Sequence, residues 1–511
     1  MKNHILCSMA GLLAVSGAQA ADLPVKARAI QYVRICSAYG AGFWYVPGTD
    51  TCIKLSGYLR VDADYNAGVF DNPYWNDDGG QHNRYVNEIS ARSRLDFAVD
   101  TRTATEYGVV RTFAQADFQF TTLASSQNPN STSTNLGNNE QLLDTAGGGY
   151  VAVANVFIQF AGFIFGKSES AYATPWQGFP GNNTSYLLGG HDTANGVNNI
   201  QYTADFGNGV SGSIGLDEGF VFNRTALYNL STGLKADGTS GDAYGGRVGP
   251  DMVGRIRVDQ TWGIFQLSAA AHQVNGSYNT LAGSAAAPTS ASELSGHPES
   301  KWGGSVMAGL NIKNIPTGAG DDIKVDATWA KGDTKNVIST TSKSPSFAMF
   351  GGTSNPAAYQ SIGFGATTDG VWLPAANGGD GRIHLTEAFG MRGAFNHNWD
   401  PYWSTSIFGS YSALRYDAAA KASYCSVYTG TRAVSADYSC NPDFNVSQLG
   451  VITRWTPVTN LTFSVETMWI HLDQNFTGTA MLDASAPKPS ATYQFRDQNT
   501  FTLNIRAQRN F

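Results

Sequence analysis

Four arginines fall on the polar parity of three consecutive alternating segments: Arg60 in "LSGYLRVDADY", Arg92 and Arg94 in "ARSRLDFAVD", and Arg111 in "GVVRTFAQADF". Guanidinium groups stay charged at any physiological pH, so four of them on one face could attract and filter ions in an aqueous path. The plainer alternative is that they pair with neighbours such as Asp62, Asp64, Glu88 and Asp96 and merely solvate a wall. Glu169 and Asp192 stand in a later polar stretch. His191 beside Asp192 suggests a metal or a general base, but no third partner stands at useful spacing. The run "GNGVSG" (Gly207 to Gly212) fits the dinucleotide fingerprint by letter. That fingerprint needs its last glycine to open a helix, whereas "VSGSIGLDE" continues as a strand, so the run is a hairpin turn. No Ser/His/acid group shares a strand face. An enzyme is not expected, and no catalytic, cofactor or metal residue is assigned.

The elements that carry these residues alternate with a period of two. Ile53, Leu55, Leu59, Val61, Ala63 and Tyr65 share one parity, and Lys54, Ser56, Tyr58, Arg60, Asp62 and Asp64 the other. "DIKVDATWAK" and "MVGRIRVDQ" repeat the pattern, as does the C-terminal "NTFTLNIRAQRNF". Strict alternation gives a strand one apolar and one polar face. Seven short turns are expected near Asp100–Thr103, Ala161–Gly162, Gly207–Gly209, Thr261–Gly263, Lys313–Asp321, Asn398–Pro401 and Thr456–Thr459. Eight long stretches rich in Gly, Asn, Ser and Thr separate the hairpins, which makes sixteen strands.

Compact soluble domains rarely carry so many long structureless loops. Short turns on one side and long loops on the other describe a transmembrane β-barrel. Met1–Ala20, with Lys2, an apolar core and "AQA", reads as a signal peptide (1–20). No later apolar run is long enough for a spanning helix, and backbone in lipid is satisfied only by helices or closed barrels. Only 14% of the chain is charged, against about 25% in ordinary globular proteins. The full chain carries a formal charge of −7, and losing Lys2 with the leader makes it one step more negative. This argues against a nucleic-acid partner and favours a mild preference for cations. The expected organisation is a signal peptide, an N-terminal periplasmic-side segment (21–51) and a barrel (52–511).

The mature chain keeps Cys36, Cys52, Cys425 and Cys440. Four cysteines in an oxidising compartment allow three connectivities. The short spacings favour Cys36–Cys52 and Cys425–Cys440. The alternative metal site lacks both the ligand spacing and a nearby histidine.

Residues 32–62, "YVRICSAYGAGFWYVPGTDTCIKLSGYLRVD", resemble the N-terminal signature of the alphaproteobacterial porins of Brucella and the Rhizobiales. Further likenesses are "VFIQFAGFIFGKSES" (156–170), "NNIQYTADFGNGVSGSIGL" (198–216), "DMVGRIRVDQTWGIFQLSAAAH" (251–272) and "SQLGVITRWTPVTNLTFSVETMW" (447–469). The resemblance implies an all-β, sixteen-stranded antiparallel barrel that forms a passive diffusion channel for small hydrophilic solutes and ions. It further implies a homotrimer in outer-membrane lipid and lipopolysaccharide, a third long loop folded inward (168–196), and Phe511 as a C-terminal signal for the barrel assembly machinery. The arginines would form the basic wall of a constriction, with Glu169 and Asp192 as the acidic loop. An alternative is a substrate-specific channel for sugars or organic acids, lined by Tyr172, Trp176, Phe179 and Tyr186. The stretch 332–384 matches nothing in the family and has no assigned position.

Overall fold

The computed structural model describes residues 34–68, 72–73, 89–121, 150–176, 182, 187–191, 196–219, 224–339, 344–485 and 488–511. The expected leader, Glu88, Phe179, Tyr186 and Asp192 lie outside these residues. Sixteen strands make one closed antiparallel sheet. They are β1 (Thr51–Tyr65), β2 (Ile89–Thr105), β3 (Gly108–Thr121), β4 (Tyr150–Phe160), β5 (Phe163–Ser168), β6 (Val197–Gly207), β7 (Val210–Asp217) and β8 (Asp251–Gln260). They continue as β9 (Gly263–Val274), β10 (Lys301–Lys313), β11 (Asp322–Lys331), β12 (Glu387–Asn398), β13 (Trp403–Arg415), β14 (Phe444–Val458), β15 (Leu461–Gln474) and β16 (Gln498–Asn510). Each strand pairs with the next, and β16 returns to β1 with Asn510 opposite Tyr58. Closure leaves no free edge in a medium that offers no hydrogen bonds.

The two-residue period sorts the faces as the sequence indicates. On β1, Leu59, Val61 and Tyr65 are exposed outward, while Asp62 and Asp64 are buried inside. Trp262, Trp399, Trp403 and Trp455 stand exposed at or beside the short turns, where aromatic side chains mark a membrane–water boundary. At the seam, Phe511 N donates to Gly57 O at 3.0 Å and Gly57 N to Phe511 O at 3.2 Å. A Cβ at Gly57 would lie 2.0 Å from the Asp96 carbonyl oxygen, so only glycine lets β2 come this close.

Three details differ from the sequence-based expectation. The β2–β3 turn falls at Glu106–Tyr107 rather than Asp100–Thr103, because the register runs on to Thr105 opposite Gly108. Thr103 bonds Thr51 across the pair at 2.8 Å, and Thr105 Oγ1 donates to Gly108 O at 2.7 Å. Threonine is a strand former, and here the threonines continue the strand. The β14–β15 turn likewise sits at Thr459–Asn460, beyond a bulge after Trp455. Most consequential, the inner face is not uniformly polar. Phe408, Val446, Ile452, Met468, Ile470 and Leu472 point inward and are buried, because inserted loops cover them.

Those loops fold together over the mouth. The sixth (332–386) and eighth (475–497) form a four-stranded sheet from Phe347–Gly351, Gln360–Gly365, Ala491–Phe495 and Thr479–Leu482. The seventh (416–443) carries helix α1 (Ala418–Gly430), capped by Asp417, whose side chain accepts from Ala420 N at 2.7 Å. Capping satisfies a backbone donor that the first turn otherwise leaves unpaired. The Cys425–Cys440 disulfide, with its Cα atoms 5.8 Å apart, ties α1 to the rest of that loop. Tyr228, Phe364, Tyr424, Tyr428, Phe476 and Phe495 join the cap and the upper inner wall in one apolar core. The described residues of the stretch 332–384 therefore pack on the barrel mouth. A second disulfide, Cys36–Cys52, fastens the N-terminal segment beneath β1, where Trp44 and Tyr45 pair with Ile53 and Cys52.

The candidate pore constriction

Strand register brings a band of arginines together at mid-height. Arg454 (β14) lies opposite Ser464, Ser464 opposite Arg506, Arg506 opposite Asp62, and Asp62 opposite Arg92. The adjoining row runs Gln508, Arg60, Arg94, Gln119. Asp62 takes Arg92 Nε at 2.8 Å on one oxygen and Arg506 Nε at 2.5 Å on the other. Arg94 pairs with Asp117 at 3.1 Å and donates to Gln119 at 2.8 Å. Arg60 donates to Gln508 at 2.8 Å and lies over the Tyr58 ring, 4.2 Å from its centre; such stacking holds a guanidinium without neutralising it.

Of the four arginines singled out by sequence, three meet here. Arg111 sits lower, near the β2–β3 turn, against the stacked Phe113 and Phe157 rings and 3.0 Å from Asp100. Arg506 and Arg454 complete the band from the far end of the chain. Only the return of β16 to β1 brings them in, and no local pattern announces that.

The described residues of the third long loop (169–176, 182, 187–191 and 196) bond to inward-facing residues of the barrel wall. Ser170 Oγ bonds Asp217, and Gln266 Nε2 donates to the carbonyls of Tyr172 and Ala173 at 3.2 and 2.7 Å. Asn182 reaches Glu466, Ser464 and Asn504 beside the arginine band. Leu188 N donates to Gln448 at 2.7 Å. Arg392, in a double hydrogen bond with Asp326, also donates to Leu187 O at 3.3 Å and His191 O at 2.7 Å. A Cβ on Gly390 would lie 2.6 Å from the Gly189 Cα, so loop and wall meet backbone to backbone. Glu169 is exposed and close enough to Arg255 to act on its charge, and it does not face the band. Tyr172 and Trp176 are buried against the wall. His191 is enclosed too; burial, with Lys335 and Arg392 nearby, holds its imidazole well below the usual range. It is therefore neutral. Among the described residues, no group of His, Cys, Asp or Glu could hold a metal.

The sixth loop enters beside it with buried charges. Burial raises the Asp333 carboxyl to about 6, an effect offset in part by His272 and Lys335 and reinforced by Asp251 and Asp369. The carboxyl's ordinary value is 3.8. A raised folded value means stability that is full below the unfolded value and lost as pH rises through the folded one. Acidification from pH 7 towards 4 should therefore tighten this anchor. Hydrogen exchange of the 332–339 amides, corrected for intrinsic rate, should slow over that window, and Asp333→Asn should flatten the dependence.

A closed barrel with an outer apolar belt and a polar inner band defines the chain as an outer-membrane β-barrel, residing in the outer membrane of a Gram-negative bacterium. A family model described as a porin subfamily matches residues 22–504, and the chain belongs to that family. Porin Omp2b of Brucella suis biovar 1 (strain 1330) and Porin Omp2b of Brucella abortus (strain 2308) are each 32% identical over 268 residues, 52% of this chain. The matched stretch spans 63% of either relative's own length. Among solved structures, the outer membrane channel DcaP of Acinetobacter baumannii shares the fold at 15% identity, with a TM-score of 0.55 over 91% of this chain and 99% of that one.

Proposed function

We propose that this chain forms a water-filled channel for passive diffusion of small hydrophilic solutes and ions across the outer membrane. The observation that carries the reading is the arginine band on the inner wall, beside an inserted loop that covers the apolar half of the lumen. Polar rings at a narrowing are how a pore admits hydrated solutes. Family membership supports a homotrimer in lipid and lipopolysaccharide, with Phe511 serving as the signal read by the barrel assembly machinery. The substrate-specific alternative loses the support of Tyr172 and Trp176, which are buried between the third loop and the wall; Phe179 and Tyr186 lie outside the described residues. We assign no catalytic role.

Purified protein in a planar lipid bilayer should give conductance steps grouped in threes, with amplitude nearly proportional to bulk salt. Saturation of the current at moderate salt would favour a specific channel. Protein that keeps its folded mobility in SDS yet gives no steps would overturn the channel reading.

A further inference from the structure

The overall charge of the chain and the charge its inner wall presents have opposite signs. Around the band the carboxylates lie deep and the guanidiniums lie over them. The side chain of Arg506 is 10% exposed against none for Asp62, and Arg94 is 14% exposed against 9% for Asp117. Arg111 and Arg102 are 27% and 29% exposed over Asp100 at 10%. Side-chain length explains the layering: an aspartate ends close to the sheet, while arginine carries its charge several ångströms further in. Glu466, the longer acid of this sector, is turned to Asn182 of the third loop and is buried. Arg257 with Asp259 reverses the order, but on the opposite wall close to the periplasmic turns.

Two members of the band have no carboxylate within ion-pair distance among the described residues. Arg60 has Gln508 and Tyr58, and Arg454 donates to Ser406 Oγ at 2.9 Å. Charges within about 8 Å of the ion path dominate at physiological salt, and more distant ones are screened. The acidic excess of the whole chain therefore counts for less than the few cations at the narrowing.

Building on the diffusion-channel reading above, we propose that the constriction selects small anions, chloride and short carboxylates, over cations, with Arg60 and Arg454 as the specificity-determining residues. This reverses the preference that net charge suggests.

The test is the reversal potential across a bilayer under a tenfold KCl gradient, for the natural protein, Arg60→Gln/Arg454→Gln and Arg60→Lys/Arg454→Lys. The natural protein should pass chloride over potassium by about three-fold or more. The glutamine pair should bring the ratio close to one, and the lysine pair should retain it. Unheated SDS mobility reports folding of each variant. Open channels that prefer potassium, or a ratio unmoved by the glutamine pair, would overturn the assignment and leave the channel reading intact. Folded protein without steps would overturn the channel reading, and this assignment with it.

Discussion

Arg392→Met should destabilise the barrel by about 3–5 kcal/mol, the range for breaking a buried ion pair from one side. Asp326 would remain with its side chain fully buried and without the Arg392 Nε–H that now meets both its oxygens, at 3.0 and 3.1 Å. The third loop would lose two further hydrogen bonds, at Leu187 O and His191 O. Urea unfolding of protein folded into lipid vesicles measures the loss. Asp326→Leu in the Arg392→Met background should recover much of it, because two apolar groups in place of a buried pair are close to neutral. The two residues are in direct contact, so the double mutant should fall well short of the sum of the singles. A sum that simply adds would mean that Arg392 acts through the loop carbonyls and not through Asp326.

That clamp also shows where sequence reading stops. Period-two alternation sufficed for the sixteen strands, since each has one face in lipid and all but β5 (6 residues) and β7 (8 residues) are long enough to cross the membrane. Even the short turns were legible to within a few residues; the exception at Glu106–Tyr107 arose because threonines continue a strand that their polarity suggested had ended. Arg60, Arg92 and Arg94 were legible as a group because they lie on neighbouring strands. Arg506 and Arg454 join them only through closure, Arg506 meeting Asp62 from 444 residues away along the chain. The inward loop is harder still. Its partners, Gln266, Arg392, Gln448 and Glu466, are spread over β9 to β15, and each alone looks like any other lumen-facing polar residue.

One signal for the inserted half did stand in the sequence. On β15, Met468, Trp469, Ile470 and Leu472 place apolar residues on both parities, where a strand between lipid and water should carry them on one. A strand that is apolar on both faces is buried on both. On β15 the outer face meets lipid, and the inner one packs into the same core as Leu187, Leu188, Phe347 and Ile362 of the third and sixth loops. The unmatched stretch 332–384 and the broken alternation are thus two sides of one feature, an apolar inner wall and the loop that covers it.

Excising Ala348–Phe364 and joining Phe347 to Gly365 through two glycines should raise single-channel conductance by about two-fold or more, if pore width at the mouth limits current. The geometry permits the cut, because Phe347 and Gly365 are already paired across the hairpin. The hairpin packs on the extracellular ends of β14 to β16: Gln498 Nε2 donates to Ser361 Oγ at 3.0 Å, and the Phe347 and Phe444 rings lie 5.6 Å apart. Those strands also carry Arg454 and Arg506, so the sheet overhangs the band. Removal leaves Phe444 and Phe495 newly wetted, and burying a phenylalanine is worth about 1.5–3 kcal/mol, so the cap should also become a ready target for proteolysis. The barrel pairing of β14 to β16 does not depend on the hairpin, and the unheated SDS mobility should persist. The reversal potential should stay where it was, since the excision touches no member of the band. A conductance that remains unchanged in folded protein would place the limiting cross-section at the third loop alone, and the sixth loop would then be a brace for the cap with no part in the path.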